Sequence, residues 1–558
     1  MPGADVWGVR RETGWKRLIA AAVQRNLSLR LTLMDPKRTL SALLAMGIFP
    51  AAAAGEVPLR GRVVDAATGD PLPARLYIEK AGEWFLARSA DPAGSAVHYQ
   101  KRNGRSVEIH TTLSAHPFRS DLPPGRYTVT AERGKEYLPA SAEVVLEKEP
   151  GEVTLKLRRF ADMARRGWYS GDTHVHREIA DLPNILLAED LNIAFPLVHW
   201  VREAFTPPAG GGGAGDQGAA EPIRVDPAHL IVPRNTEYEI FTVAGKRHEL
   251  GAFFIIGHRS IFPEGVPPLR AVAERARAEG ALLELDKHSW PWSMALVPVM
   301  NVDLYELANN HLWRTDFGFR RWGEPPPGYM KVETDAGGLT ERGWIDYGFK
   351  NYYALLNSGF RLRPTAGTAS GVHPVPLGFS RVYVHLSEAL SAEAWLRALN
   401  EGKSFVTTGP LLFFEVKPPA AGSNSVRVAG SVLSAGPLSM VEVIVNGEVA
   451  ATPPHASALN ADGARECRFE ADLPLTGSSW VAARVFEEAA GGRVRFAHSA
   501  PVFLAVEGKP LRPRREEVEF LKGRVSRELE RSKDLLPPEA IEEYRRALAA
   551  YEEAEKGK

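Results

Sequence analysis

The stretch Gly171-Asp172-Thr173-His174-Val175-His176 sets two histidines two residues apart. On an extended segment alternate side chains share a face, so both imidazoles can reach one cation. Each neutral imidazole offers a nitrogen lone pair, while an outer acceptor orients its second nitrogen. Asp172 can be that acceptor, can cap the local turn, or can approach a metal itself. The later apolar runs IAFPLV, FFIIG, ALLEL and VDLYEL each end near a further ligand type: His199, His258, His288 and the Glu306–Asn309 stretch. Repeated placement at the ends of apolar runs is stronger evidence than any single histidine. It points to metal-centred hydrolysis.

The elements around these residues follow from their periodicity. Between about residues 160 and 410, short apolar runs alternate with helical stretches such as PLRAVAERARAEG and SAEAWLRALNEG, which implies a mostly parallel α/β sheet with its reactive edge at the strand C-termini. Residues 57–158 alternate apolar and polar positions around turn residues and read as a small β-sandwich. Residues 411–507 read as a second β-sandwich, with Asn446-Gly447 as a hairpin turn. Residues 511–558 read as a charged helical tail of two helices, the second opening just after Pro537-Pro538, either a helical cap or a solvated tail. AGGGGAGDQGAAEP, around residues 209–222, reads as a surface insertion.

Composition removes several classes of function. Lys+Arg and Asp+Glu both total 68 in 558 residues, so no global field favours nucleic acid or an anionic membrane. RRFADMARR is too short a basic cluster to change that. A single cysteine, Cys467, excludes an intrachain disulfide and a cysteine-rich metal site. There is no phosphate-binding loop ending in Gly-Lys-Ser/Thr, no GxSxG elbow and no nicotinamide glycine fingerprint. At the start of the chain, Met34-Asp35-Pro36-Lys37-Arg38, then TLSALLAMGIFP and AAAAG, have the layout of a signal peptide cut after Ala53 or Ala54. Residues 1–54 are therefore expected to be an N-terminal extension and signal peptide with its true start at Met34, and the mature protein is expected to be secreted or periplasmic with no transmembrane span.

GDTHVHR, LNIAFPLVHW, LLELDKHSW and YYALLNSGFRLRPTAGTASGVHPVPLG together resemble the polymerase and histidinol phosphatase-like (PHP) metallohydrolases, closest to their carbaryl-hydrolase-like CehA/McbA branch, over roughly residues 165–412. GRVVD and PPGRYTV resemble the carboxypeptidase-regulatory-like or transthyretin-like module, usually an accessory domain. The first resemblance implies a distorted (β/α)7 barrel for residues 160–410, flanked by the small β-sandwich domains. It carries metal-ligand roles onto His174, His176, His199, His288 and His373, and a bridging carboxylate onto the Asn235–Glu239 region. Glu237 and Glu239 face the same way on a strand, so either fills that place, or that of a catalytic base. His258 is the next candidate ligand, with His248 competing for the role, and Arg259 can hold an anionic substrate group. Two positions depart from the pattern. Val198 stands where the second motif offers aspartate, and Ala369 stands about where a Ser-Asp pair does. Asp286, two before His288, offers partial compensation as a ligand, and Glu306 of the Glu306-x-x-Asn309 match reads as a core anchor or an outer support for the ligands. Trp200, Trp290 and Trp292 adjoin the candidates and can form an apolar or sugar-stacking wall or a packed rim.

The resulting expectation is a secreted, divergent hydrolase in which a divalent metal activates water against a phosphoester, or against a carboxylic ester, carbamate or amide. The histidine-rich donor set favours zinc, with manganese or iron as alternatives and the number of ions open. The partner is a small-molecule or carbohydrate-linked substrate, and the oligomeric state is not set by the sequence. The rival expectation is a noncatalytic, metal-stabilised carbohydrate or cell-surface binding protein, which Val198, Ala369 and the flanking β domains favour.

Overall fold

A computed structural model describes residues 55–208, 220–321, 323–417 and 425–556. The expected N-terminal extension and signal peptide, residues 1–54, lie outside the described residues, as does most of the glycine-rich insertion.

The first β region is built from strands whose alternation sorts side chains between a shared core and solvent. In Gly125–Glu132, Tyr127, Val129 and Ala131 are buried while their neighbours are not. One sheet runs in the order Arg88–Ser89, Phe118–Leu122, Val57–Asp65, Gly151–Arg159, Tyr137–Leu138; the other runs Ala140–Leu146, Gly125–Glu132, Ala74–Lys80, Ser106–Leu113, Ala96–Asn103. Leu59, Leu76, Val129 and Leu157 fill the space between them. The turn after the first strand is set locally, since the Asp65 carboxylate accepts from the Ala67 and Thr68 amides.

The central region contains two sheets. In one, Trp168–Val175 lies between Ile193–Pro196, which is parallel to it, and Arg381–His385, which is antiparallel. The other runs His199–Glu203, Thr236–Val243, Lys246–Ile256, Leu282–Leu285, Leu304–Ala308, Arg363–Ala366 and contains an antiparallel hairpin at Thr236–Ile256. The sheets are thus mixed in direction, not mostly parallel. Among the described residues the hydrogen-bonded ladders do not join the two sheets into one continuous barrel. Pro196 has no N–H to continue a ladder, the chain turns at Leu197-Val198, and His199 enters the other sheet. On the opposite flank Val175 and Ser370 form only an isolated bridge.

Two further features tie the C-terminal half to this centre. Strand Ser404–Thr407 pairs with Arg493–Ser499, so the first central sheet runs on through Ser479–Ala489 and Leu438–Val445. The second β region is therefore not a free-standing sandwich. Its separate sheet, Leu411–Lys417 with Ser425–Ser434 and Arg465–Pro474, packs against that extension around Val428, Val443, Val485 and Cys467. The helices Arg515–Ser532 and Pro538–Lys556 bury Val518, Leu521, Val525, Tyr544 and Tyr551 in the largest core. They form a cap. Arg524, almost wholly buried, donates to the carbonyls of His288 and Trp290 at 3.1 and 2.6 Å. No helix among the described residues is long and apolar enough to cross a membrane.

Candidate metal centre

Strand ends from both central sheets meet at one buried cluster. His174 is the penultimate residue of Trp168–Val175 and His176 follows directly. Glu237 stands in Thr236–Val243, Asp286 just past Leu282–Leu285, and Glu306 in Leu304–Ala308. Two sets of potential ligand atoms lie within 4.8 Å of one another: His174, His176 and Glu237, and His174, Asp286 and Glu306.

The two sets meet at opposite nitrogens of one ring. His174 Nε2 lies 3.8 Å from Glu237 Oε1, and His176 Nε2 lies 3.2 Å from Glu237 Oε2. His174 Nδ1 faces Glu306 Oε1 and Oε2 at 3.3 and 3.4 Å and Asp286 Oδ1 at 3.8 Å. His174, Glu237, Asp286 and Glu306 are nearly inaccessible to solvent, Asp286 and Glu306 at 0% exposed, while His176 is partly buried. Burial, with Asp286 nearby, pushes the Glu237 and Glu306 carboxyls well up, and burial depresses His174 strongly and His176 to about 4. Glu237 Oε2 and Asp286 Oδ1 are buried without a hydrogen bond of good geometry. Neutral imidazoles beside under-compensated carboxylate oxygens match the donor set of a divalent cation. The cluster fits a metal.

Asp172 does not join it. Its carboxylate accepts from the His174 amide at 3.1 Å, the Thr368 amide at 3.2 Å, the Thr368 hydroxyl at 2.5 Å and the Gly378 amide at 2.9 Å. Of the three roles open to it in sequence, it takes backbone capping, locking the His-x-His segment to the 368–378 loop. Desolvation still lifts its carboxyl to about 6.

The other expected site residues are distributed unevenly. Glu239 lies two residues beyond Glu237, where Trp200 Nε1 donates to it at 3.0 Å, and burial followed by Glu237 pushes its carboxyl to about 8. Trp200 also packs on His176, with ring centroids 4.7 Å apart. His199 is out of phase with this face. In the parallel ladder His199 pairs with Thr236 and Trp200 with Glu237, so the tryptophan, not the histidine, shares the side of Glu237. His199 instead neighbours His258, at 6.3 Å between centroids, and His258 Nε2 bonds the Thr236 hydroxyl at 2.9 Å. Neither belongs to the two metal-capable sets. Arg259 lies away with His258 on a separate cavity of about 670 Å³. His248 bonds Ser532, the last residue of helix Arg515–Ser532, at 3.0 Å. His288 is buried against Trp344 and Tyr347, and neither of its ring nitrogens has a hydrogen bond. His373 packs near Trp313 and His311. Trp290 donates to Asp286 Oδ2 at 2.7 Å, whereas Trp292 packs into the core on Phe253.

Three residues were not anticipated from sequence. Lys287, 1% exposed, forms an ion pair with Asp286, and its charge acts on Glu306 and Glu239 as well. His311 stacks on Phe319 at 3.5 Å, and burial followed by the charge of Lys287 holds its ring well below the usual imidazole range. The sequence signal for both is weak: a lysine between an aspartate and a histidine in LELDKHSW, and a histidine after Glu306-x-x-Asn309-Asn310. Tyr99 comes from the first β region. Its hydroxyl donates to the His373 carbonyl at 2.5 Å and accepts from the Gly371 amide at 2.8 Å, while Arg177 lies over its ring. No local signal marks it.

No family model and no curated protein matches this chain. One solved structure, a two-domain protein containing a predicted PHP-like metal-dependent phosphoesterase from Bacteroides vulgatus ATCC 8482, is 10% identical, with 61% of this chain and 95% of that chain covered and a TM-score of 0.27. So loose a match fixes neither fold nor chemistry; the side chains must.

Proposed function

We propose that this protein is a metal-dependent hydrolase that cleaves a phosphoester, or else a carboxylic ester, carbamate or amide. The observation that carries the reading is the convergence of His174, His176, Glu237, Asp286 and Glu306, from or just beyond four separate strands of two sheets, on one locus. His174, His176 and Glu237 would hold the ion. A divalent cation bound there supplies Lewis-acid charge and makes water a better nucleophile near neutral pH. Glu306 orients the His174 ring through Nδ1, as outer carboxylates do for ligating histidines. Glu239, steadied by Trp200 at the edge of the cluster, is the group placed to carry a proton to or from the reacting oxygen. Zinc is the preferred ion for so imidazole-rich a donor set, with manganese or iron as alternatives.

Metal analysis combined with assays on p-nitrophenyl phosphate, its diester, p-nitrophenyl acetate and a 1-naphthyl carbamate tests the reading. Turnover is expected that chelator abolishes, and that His174→Ala and Glu237→Gln lower by at least about 100-fold, the upper range for disturbing a metal ligand's surroundings. The ion pair of Lys287 with Asp286 favours a second reading, a noncatalytic metal-stabilised binding protein for carbohydrate or cell-surface material. Bound metal without turnover on any of these substrates selects it.

A further inference from the structure

We propose that Lys287 is a built-in cation that neutralises one half of the centre, so that the site takes a single divalent ion. The proposal rests on the metal-site reading above and specifies it.

The geometry separates two halves around the His174 ring. On the Nε2 side stand Glu237 and, across from it, His176; on the Nδ1 side stand Glu306 and Asp286. A neutral imidazole has one lone pair and one N–H. With Nδ1–H directed at Glu306, only Nε2 remains to bind an ion. An ion on the Nδ1 side would therefore have to be held by Asp286 and Glu306 without the ring. The carboxylates of the Nδ1 side already have a cation, because Lys287 Nζ pairs with Asp286 Oδ2. Trp290 Nε1 donates to the same oxygen at 2.7 Å, which fixes Asp286 in that role.

The charge count agrees. Glu237, Asp286 and Glu306 are the three carboxylates of the two metal-capable sets. One ammonium and one divalent ion balance three negative charges. A second divalent ion beside Lys287 would leave the buried cluster with surplus positive charge, which a low-dielectric interior strongly disfavours. Lys287→Met removes the ammonium and leaves Asp286 and Glu306 uncompensated beside His174; with Glu239 at the edge of the cluster ionised as well, two divalent ions then meet four carboxylates.

The test is metal content of the full chain after equilibration with zinc chloride and, separately, manganese chloride, read by elemental analysis, with electron paramagnetic resonance of the manganese form. The wild-type chain is expected to hold one ion with an uncoupled manganese spectrum, and Lys287→Met two. Lys287→Arg, which keeps the charge, should stay at one, and Glu237→Gln should fall below one. Two ions or an exchange-coupled signal in the wild type would overturn the proposal while leaving the hydrolase reading intact. Lys287→Met folded but still at one ion, or Lys287→Arg rising to two, would also overturn it. Should Lys287→Met fail to fold, the wild-type and Lys287→Arg counts decide. No bound ion in any form would sink the metal reading and this proposal together.

Discussion

Gly367→Ala offers a severe local test of the centre. Gly367 follows strand Arg363–Ala366 and passes directly over the cluster; a Cβ built there would fall 2.2 Å from His174 Cβ and 2.4 Å from Glu306 Oε1. Carbon atoms in contact prefer about 3.5–4 Å, so the first approach is short by more than about 1 Å. His174 Cβ is fixed to a strand paired on both edges and cannot rotate aside. Glu306 can turn away only by leaving His174 Nδ1. Overpacking of this kind costs about 1–3 kcal/mol of stability, and displacing the outer partner of a ligating histidine lowers metal affinity about 10–100-fold. Gly348→Ala is the matched control. It lies in helix Glu341–Asn357, where an added Cβ would meet His288 at an ordinary 3.6 Å, so it should gain up to about 1 kcal/mol from helix propensity. Thermal unfolding and zinc titration against a competing chelator read both effects. Wild-type zinc affinity in Gly367→Ala would refute the placement of His174 and Glu306 at a metal centre.

Other consequences reach beyond the centre. Arg75, in the first β region, is buried against Glu189 of the central region, and Arg75→Met should destabilise the chain by about 3–5 kcal/mol by stranding that carboxylate, measured by chemical denaturation; an unchanged midpoint would show the pair to be dispensable. Tyr99→Phe leaves the His373 carbonyl and Gly371 amide without their partner and should cost about 1–3 kcal/mol, seen as a lower Tm; an unchanged Tm would refute that. Acid should unfold the protein through its buried histidines. Burial holds His498 at about 3, below the 6.5 of an unfolded histidine, so below pH 6.5 the unfolded chain binds a proton that the folded one refuses. The stability is whole above pH 6.5 and falls by about 1.4 kcal/mol per unit as pH drops toward 3. His498→Gln should flatten that slope, and an unaltered pH profile of urea midpoints would exclude His498 as a contributor.

The sequence by itself determined the parts of this centre that depend on local geometry. Two histidines two residues apart on an extended segment share a face, and His174 and His176 bring their rings together. Glu237 was reached through the family resemblance, with Glu239 as its alternative, and Asp286 as the residue two before His288 on the same strand face. What only the tertiary structure decided was phase and company. His199 and Trp200 are adjacent, and which one turns toward Glu237 is set by hydrogen bonds to Thr236–Val243, a strand more than thirty residues away along the chain. Likewise, a lysine in LELDKHSW carries no mark of its partners, and Tyr99 reaches the His373 loop only because separate β regions share an interface. Strand periodicity acts over two residues and is written in the chain. Ladder register, sheet closure and ion pairing are settled by contacts between distant segments, whose free energy exists only once they have met.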